Sequence, residues 1–369
     1  MLTSDQLDAL IQPVLDFYRD FESQVIADIA RRIIKVGNVT ATAAWMTQRL
    51  SESGAIYQDI LKRLARLTGK SESMLAQLFE QAGVKSSVFD DKLYVKAGLR
   101  PIPLNMSPAM INVLAAGMRK TVGIVENLAL STAVAGQRAF IDAVDMAYAK
   151  VVTGTFDYNA AIRTAIKDMA SQGIRTVEYA SQVDFADVAV RRAVLTGVAQ
   201  TTGNLQMARA NELGADLVQT SAHQGSRPEH EPWQGRVFSL SGTSDKYPDF
   251  VSSTGYGEVD GLMGVNCRHT FYPFFEGFSE KAYSQATLDE YANKTIMLNG
   301  EKISQYEASQ VQRGIERHIR AWKRQRDALD AAGLSSDAET AKVKEWQGAM
   351  RAFIKQTGLN RQRVREQVV

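Results

Sequence analysis

Cysteine is nearly absent from this chain: of 369 residues, only Cys267 carries a thiol. A single thiol excludes an internal disulfide and fits a reducing compartment, while a role as metal ligand or nucleophile stays open. Histidine is almost as scarce, with four residues. An excess of either charge is missing too, because 43 Lys and Arg against 41 Asp and Glu leave a formal net charge of +2. So weak a field does not argue for nucleic acid by itself, and any such contact needs a local patch. There is no long apolar run. The most apolar stretch, Met110 to Met118, stops at Arg119 and Lys120, well short of the roughly 18 residues of a spanning helix. The first residues, MLTSDQLDALIQPVLDF, carry acids where a secretory leader carries basic groups, so neither a membrane span nor secretion is expected.

What is present reads mainly as helix. Between Ser4 and Val36 the residues Leu7, Leu10, Ile11, Val14, Tyr18, Phe21, Val25, Ile29 and Ile33 recur at three- and four-residue steps, which lays an apolar stripe along one helix. Gly37 and Asn38 are expected to close it. A second helix is predicted from Ala41 to Leu67, and a third from the cap Ser71 to Gln81. Pro101 and Pro103 predict an extended linker over Leu99–Leu104. Ser107 followed by Pro108 is a cap and first-turn pair opening a helix through Val125. Further helices are predicted over Gln137–Thr153, Tyr158–Ser171, and Phe185–Leu213, the last capped by Asp184 and stopped by Gly214.

After Gly214 the texture changes. Leu217–Ser221 alternates as a strand does, glycines punctuate the chain, and Val237–Leu240 and Phe271–Phe275 are short strand candidates. Asn299-Gly300 between alternating residues predicts a hairpin over Thr295–Ile303. Ser304 and Glu307 then form a capping box for a helix to about Ala332, followed by a helix over Ala338–Gln356 and a basic tail. The fold class predicted is mostly α with a C-terminal α+β domain. Its divisions are an N-terminal helical region (1–100), a central helical region (101–214), the α+β domain (215–303), and C-terminal helices with the tail (304–369).

Three of the four histidines and the cysteine gather in that irregular stretch: His223, His230, Cys267 and His269. Imidazole and thiolate are the usual zinc ligands, and four complete a tetrahedral shell, so these residues are a candidate zinc site. Their spacing is not that of the common finger motifs, and buried loop histidines beside a small apolar cysteine fit the same residues. A cysteine nucleophile is a further alternative, with a histidine as base and Glu229, Glu231 or Asp260 as its orienter. Arg313, Arg317, Arg320, Lys323 and Arg324, with Trp322 among them, form a basic helical patch. It would suit sequence-independent phosphate contact, or simply a solvated face. No Walker loop or GxGxxG supports nucleotide binding.

The segments HQGSRPEHEPWQG at 223–235, GVNCRH at 264–269, and YEASQ at 306–310 with Arg313, Glu316, Arg317 and Arg320 resemble the phage minor capsid protein 2 family. That family is similar in turn to the MuF-type head-morphogenesis proteins. The positions matching the motif are His223, Arg227, Pro228, His230, Trp233, Gly235, Asn266, Cys267, Arg268 and His269. The resemblance implies a virion structural protein of few copies, inside a tailed-phage head, made in the host cytoplasm. Portal or major capsid protein are its implied partners, with DNA as a sequence-independent one and an oligomer compatible. Its implied work is head assembly or DNA packaging and delivery, without established enzymatic activity. The alternative is a metal-dependent hydrolase or transferase carried in the virion and using the His/Cys loops.

Overall fold

The computed structural model describes residues 4–36, 43–154, 156–178 and 182–368. The expected stop at Gly37-Asn38 and the expected start at Ala41 lie outside the described residues. Helix α1 spans Ser4–Lys35 and α2 spans Ala43–Lys96. The predicted break at Ser71 is corrected: α2 runs through it, and Ser71 is buried. Glycine at 69 costs only about 1 kcal/mol in a helix, and the buried run Leu75, Leu78, Phe79 and Ala82 keeps the apolar period going on its far side.

The Pro101–Pro103 segment is irregular, and Ser107 does cap α3, its Oγ accepting from Met110 N at 3.4 Å. Helix α3 is one element, Pro108–Val152, rather than two, because buried Ala129 and Ala133 continue its packed face. Helix α4 (Tyr158–Gln172) is capped by Asp157. Strands β1 (Arg175–Glu178) and β2 (Gln182–Phe185) pair antiparallel with Thr176 opposite Asp184. Asp184 is therefore a ladder residue and not a helix cap, and α5 begins at Ala186 and ends at Leu213.

The small sheet follows: β3 (Leu217–Thr220) is central, with β4 (Val237–Ser239) and β5 (Phe271–Pro273) antiparallel on either side. Short helices α6 (Phe250–Thr254) and α7 (Gln285–Asn293) accompany it. Strands β6 (Thr295–Leu298) and β7 (Glu301–Ser304) make the predicted hairpin, Asn299 and Gly300 both having positive φ, 51° and 89°, as a type I′ turn requires. The capping box is formed: Glu307 N donates to Ser304 Oγ at 3.1 Å and Ser304 N to Glu307 Oε2 at 2.8 Å. Helices α8 (Gln305–Ala331) and α9 (Asp337–Thr357) complete the order. The architecture is mostly α with small antiparallel sheets, the larger of them in the C-terminal half.

By compactness the residues group into two units, each drawn from three separated stretches. One takes Met1–Val14, Ser71–Val125 and Arg191–Ser309, the other Leu15–Lys70, Glu126–Val190 and Gln310–Val369. The second has an apolar core of Val25, Ile29, Ile33, Ile56, Ile60, Phe140 and Ile166 among others, with buried Glu339 held by Arg163 at 2.7 Å and Lys167 at 2.8 Å.

The first unit brings α3 and α5 together through a reciprocal Gly/Thr contact. A Cβ on Gly117 would lie 1.9 Å from Thr201 Oγ1, and one on Gly197 would lie 2.1 Å from Thr121 Oγ1. Each threonine hydroxyl bonds back to the glycine carbonyl one turn earlier on its own helix, at 3.0 Å for Thr121 and 2.8 Å for Thr201, so the glycines admit the threonines without leaving a hydroxyl unpaired. Nearby, Asp90 is buried and accepts from Gln206 Nε2 at 2.9 Å. Burial, with the charge of Asp91 adding to it, pushes its carboxyl up to about 7.

Two outcomes follow for unfolding in urea. Gly117→Ala and Gly197→Ala should each destabilise by about 1–3 kcal/mol by overpacking. Gly123→Ala on the same α3, with open space around it, should be neutral or gain up to about 1 kcal/mol; equal effects at 117 and 123 would refute the close crossing. For Asp90, the folded carboxyl keeps its proton at pH values where the unfolded one has lost it. The folded state thus holds more protons from about pH 4 to about pH 7, and stability falls as pH rises through that window. The stability of Asp90→Asn relative to wild type should therefore be more favourable at about pH 8 than at about pH 5.

Candidate metal centre

The antiparallel pairing of β3 with β5 sets up the site. Ser221 N donates to Thr270 O at 2.7 Å, and Thr270 N donates to Ser221 Oγ at 2.9 Å. The loop leaving β3 and the loop entering β5 are thereby held side by side. His223 lies just past β3, His230 ends a 3₁₀ turn over Pro228–His230, and Cys267 and His269 lie just before β5. The Arg227 guanidinium donates to the carbonyl of Val265, tying the two loops directly.

Three of the four predicted residues converge. His230 Nδ1 and His269 Nδ1 are 3.4 Å apart, and Cys267 Sγ is 4.0 Å from the first and 3.7 Å from the second. All three residues are buried. His230 Nε2 lies 2.8 Å from the carbonyl of Asp260, and His269 Nε2 lies 3.1 Å from Gln234 Oε1. Both acceptors lack hydrogen, so each Nε2 carries the proton in a neutral ring and each Nδ1 presents its lone pair to the thiol.

His223 is adjacent but outside that triangle. Its ring stacks on His269 with centroids 4.3 Å apart. Its Nδ1 is 3.1 Å from Gln224 O, and its Nε2 is buried with no hydrogen-bond partner. Trp233 closes the other side, its ring 4.7 Å from those of both His230 and His269.

Burial, followed by the repulsion that a protonated His269 would meet from any charge on His223 or His230 and from Arg227, holds His269 well below the usual imidazole range. Burial likewise lowers His223 and His230 and raises the Cys267 thiol. The cluster is therefore a set of neutral donors facing inward, chemically suited to a soft or borderline cation. The orienters considered for a cysteine nucleophile are not arranged as such: Asp260 offers His230 its backbone carbonyl, and Glu229 and Glu231 are exposed. Gln234 is the functional residue that sequence reasoning missed. It sits inside the HEPWQG segment, but an amide among loop residues gives no signal of its own. Its Oε1 also accepts from His223 N at 3.2 Å.

The basic patch on α8 is less uniform than the sequence suggests. Arg324 is buried, donates to Ala170 O at 3.1 Å and Ser171 O at 3.3 Å, and covers the ring of Phe185. Arg320 donates to the carbonyl of Arg365, and Lys323 to Gln367. Arg313 and Arg317 are exposed. The fourth histidine, His318, is exposed and stacks on Trp346 at 4.1 Å.

A family model described as phage minor capsid protein 2 matches residues 2–355. A structural protein of Lactococcus phage LL-H is 24% identical over 339 residues, covering 87% of this chain and 88% of that protein. A structural protein of Lactococcus phage mv4 is 32% identical over 127 residues, 33% of this chain and 93% of that protein. No solved structure matches.

Gln234→Met keeps the side chain's length but leaves the His269 N–H and the His223 backbone N–H without their acceptor. It should destabilise the protein by about 1–3 kcal/mol in urea unfolding. A variant as stable as wild type would show that Gln234 does not hold the rings.

Proposed function

We propose, from the premise that this chain belongs to the phage minor capsid protein 2 family, that it acts in head assembly or DNA packaging by binding the portal or the major capsid protein inside the head. It is a structural component of the virion and not an enzyme. The observation that carries this reading is the direction of its scarcest side chains. His230, Cys267 and His269 are buried, with their reactive atoms turned on one another. A hydrolase or transferase would need one of them facing a substrate beside a carboxylate, with a thiol inclined to ionise. Burial raises the Cys267 thiol instead.

The surface supports docking on another protein. Val84, Val88 and Val95 on α2 are 46%, 53% and 60% exposed. At about 3.6 residues per turn they fall within about 40° of one another around the helix. Ile102, Met106 and Ile111 are exposed in the same unit. Apolar surface of this kind is what a partner covers. DNA contact has less support, since Arg324 is used inside the protein and Arg320 and Lys323 are engaged by the C-terminal residues.

Tagged protein should retain the portal or the major capsid protein of its own phage. Val84→Asp with Val88→Asp should weaken that retention roughly tenfold or more. Retention of neither virion protein would overturn the reading, and retention unchanged by the double variant would remove α2 as the docking face.

A further inference from the structure

We infer that this protein binds one zinc ion in a tetrahedral site made by His223, His230, Cys267 and His269. Three vertices are already in place. Zinc bonded to imidazole nitrogen at about 2.0–2.1 Å and to thiolate sulfur at about 2.3 Å sets tetrahedral edges of about 3.3–3.4 Å between nitrogens and about 3.6 Å between nitrogen and sulfur. The observed separations are 3.4 Å for the nitrogen pair and 3.7 and 4.0 Å for the nitrogen–sulfur pairs. A cation drawing the sulfur in by a few tenths of an ångström closes the difference.

The outer hydrogen bonds supply a second, independent argument. A zinc-bound histidine gives its remaining N–H to a protein acceptor, which fixes both tautomer and ring direction. His230 and His269 do so through Nε2, toward Asp260 O and Gln234 Oε1. His223 does so through Nδ1, toward Gln224 O. In all three rings the nitrogen left over is an unprotonated donor. For His223 that nitrogen is Nε2, which is buried and has no hydrogen-bond partner. A buried polar atom without a partner is costly, and a metal at the fourth vertex satisfies it after a turn of the side chain that unstacks His223 from His269.

The loop carrying the thiol is also built for one position. Met263 adopts a positive φ of 60° without being glycine, a conformation that persists only where the surroundings impose it, and Asn266, immediately before Cys267, turns the chain at a φ of 58° that asparagine tolerates. On binding, the Cys267 thiol releases its proton to solvent and the thiolate coordinates, so one proton leaves per zinc bound.

The test begins with elemental analysis of the full chain as purified, and again after chelation and zinc repletion; one zinc per chain is expected. Cobalt substituted for zinc should give a tetrahedral visible spectrum with a thiolate charge-transfer band. Cys267→Ala should abolish that band. His223→Ala should weaken zinc binding by roughly tenfold or more and alter the cobalt spectrum. Metal at background in the replete wild type would overturn the proposal, and needs no variant to fold. A His223→Ala protein with wild-type affinity and an unchanged cobalt spectrum would overturn the four-ligand assignment.

Discussion

The pairing of β3 with β5 is the constraint on which the distinctive part of this molecule depends. These strands are three or four residues long and are separated by about fifty residues of chain, yet their register, Gln219 opposite Tyr272 and Thr220 opposite Phe271, determines where both flanking loops begin. A slip of one residue would send alternate side chains to the other face. It would carry His269 away from His230 and separate Gln234 from the rings it holds. The register is secured beyond the ladder by Tyr272, whose hydroxyl donates to Gln219 Oε1 at 3.2 Å, and by the apolar cluster of Val218, Phe238, Phe250, Leu262 and Phe271 beneath the sheet. The geometry of the His/Cys cluster is thus a consequence of ordinary sheet packing, transmitted through Ser221 and Thr270.

How much of this the sequence discloses depends on the range of the interaction concerned. Signals contained in four or five consecutive residues are read correctly: the Asn299-Gly300 turn, the Ser304/Glu307 box, the Ser107-Pro108 start. Each is a local hydrogen bond or a backbone preference, and the structure contains the same atoms the sequence argument used. Breaks are harder. Ser71 looks like a helix start, but a weak local preference yields where the helix on both sides has a buried face, so two expected helices are one. Asp184 is an equally good cap by composition, and loses to a ladder with β1 that no local window contains.

The side-chain cluster lies between these cases. That scarce residues gather in two loops is visible from composition, and so are the four candidate ligands. That His230 and His269 face each other through Nδ1 is not, because it depends on Gln234 and the Asp260 carbonyl, groups with no distinguishing sequence mark. The basic patch fails for a related reason: helical periodicity shows that Arg324 shares a helix with Arg317, but not that a carbonyl pair and the Phe185 ring wait on the buried side. The division into compact units is the least legible feature, since each is assembled from three stretches and a linear reading partitions only along the chain.

Burying two imidazoles and a thiol around one point, with a third imidazole stacked beside them, is an unfavourable way to fill a core. Apolar side chains of similar volume would avoid the desolvation of every ring nitrogen, and the hydrogen bonds to Asp260, Gln234 and Gln224 only offset part of that cost. Sequences that break the rule for core composition do so where something other than packing is required of the site. Two ring nitrogens and the sulfur are brought within 4.0 Å of one another by loops that hold two non-glycine residues at positive φ. The proposed zinc would convert this mutual crowding of lone pairs into coordination. In a phage structural protein such a centre would make a short, loop-rich sheet rigid without disulfides, which a chain with one cysteine cannot form with itself.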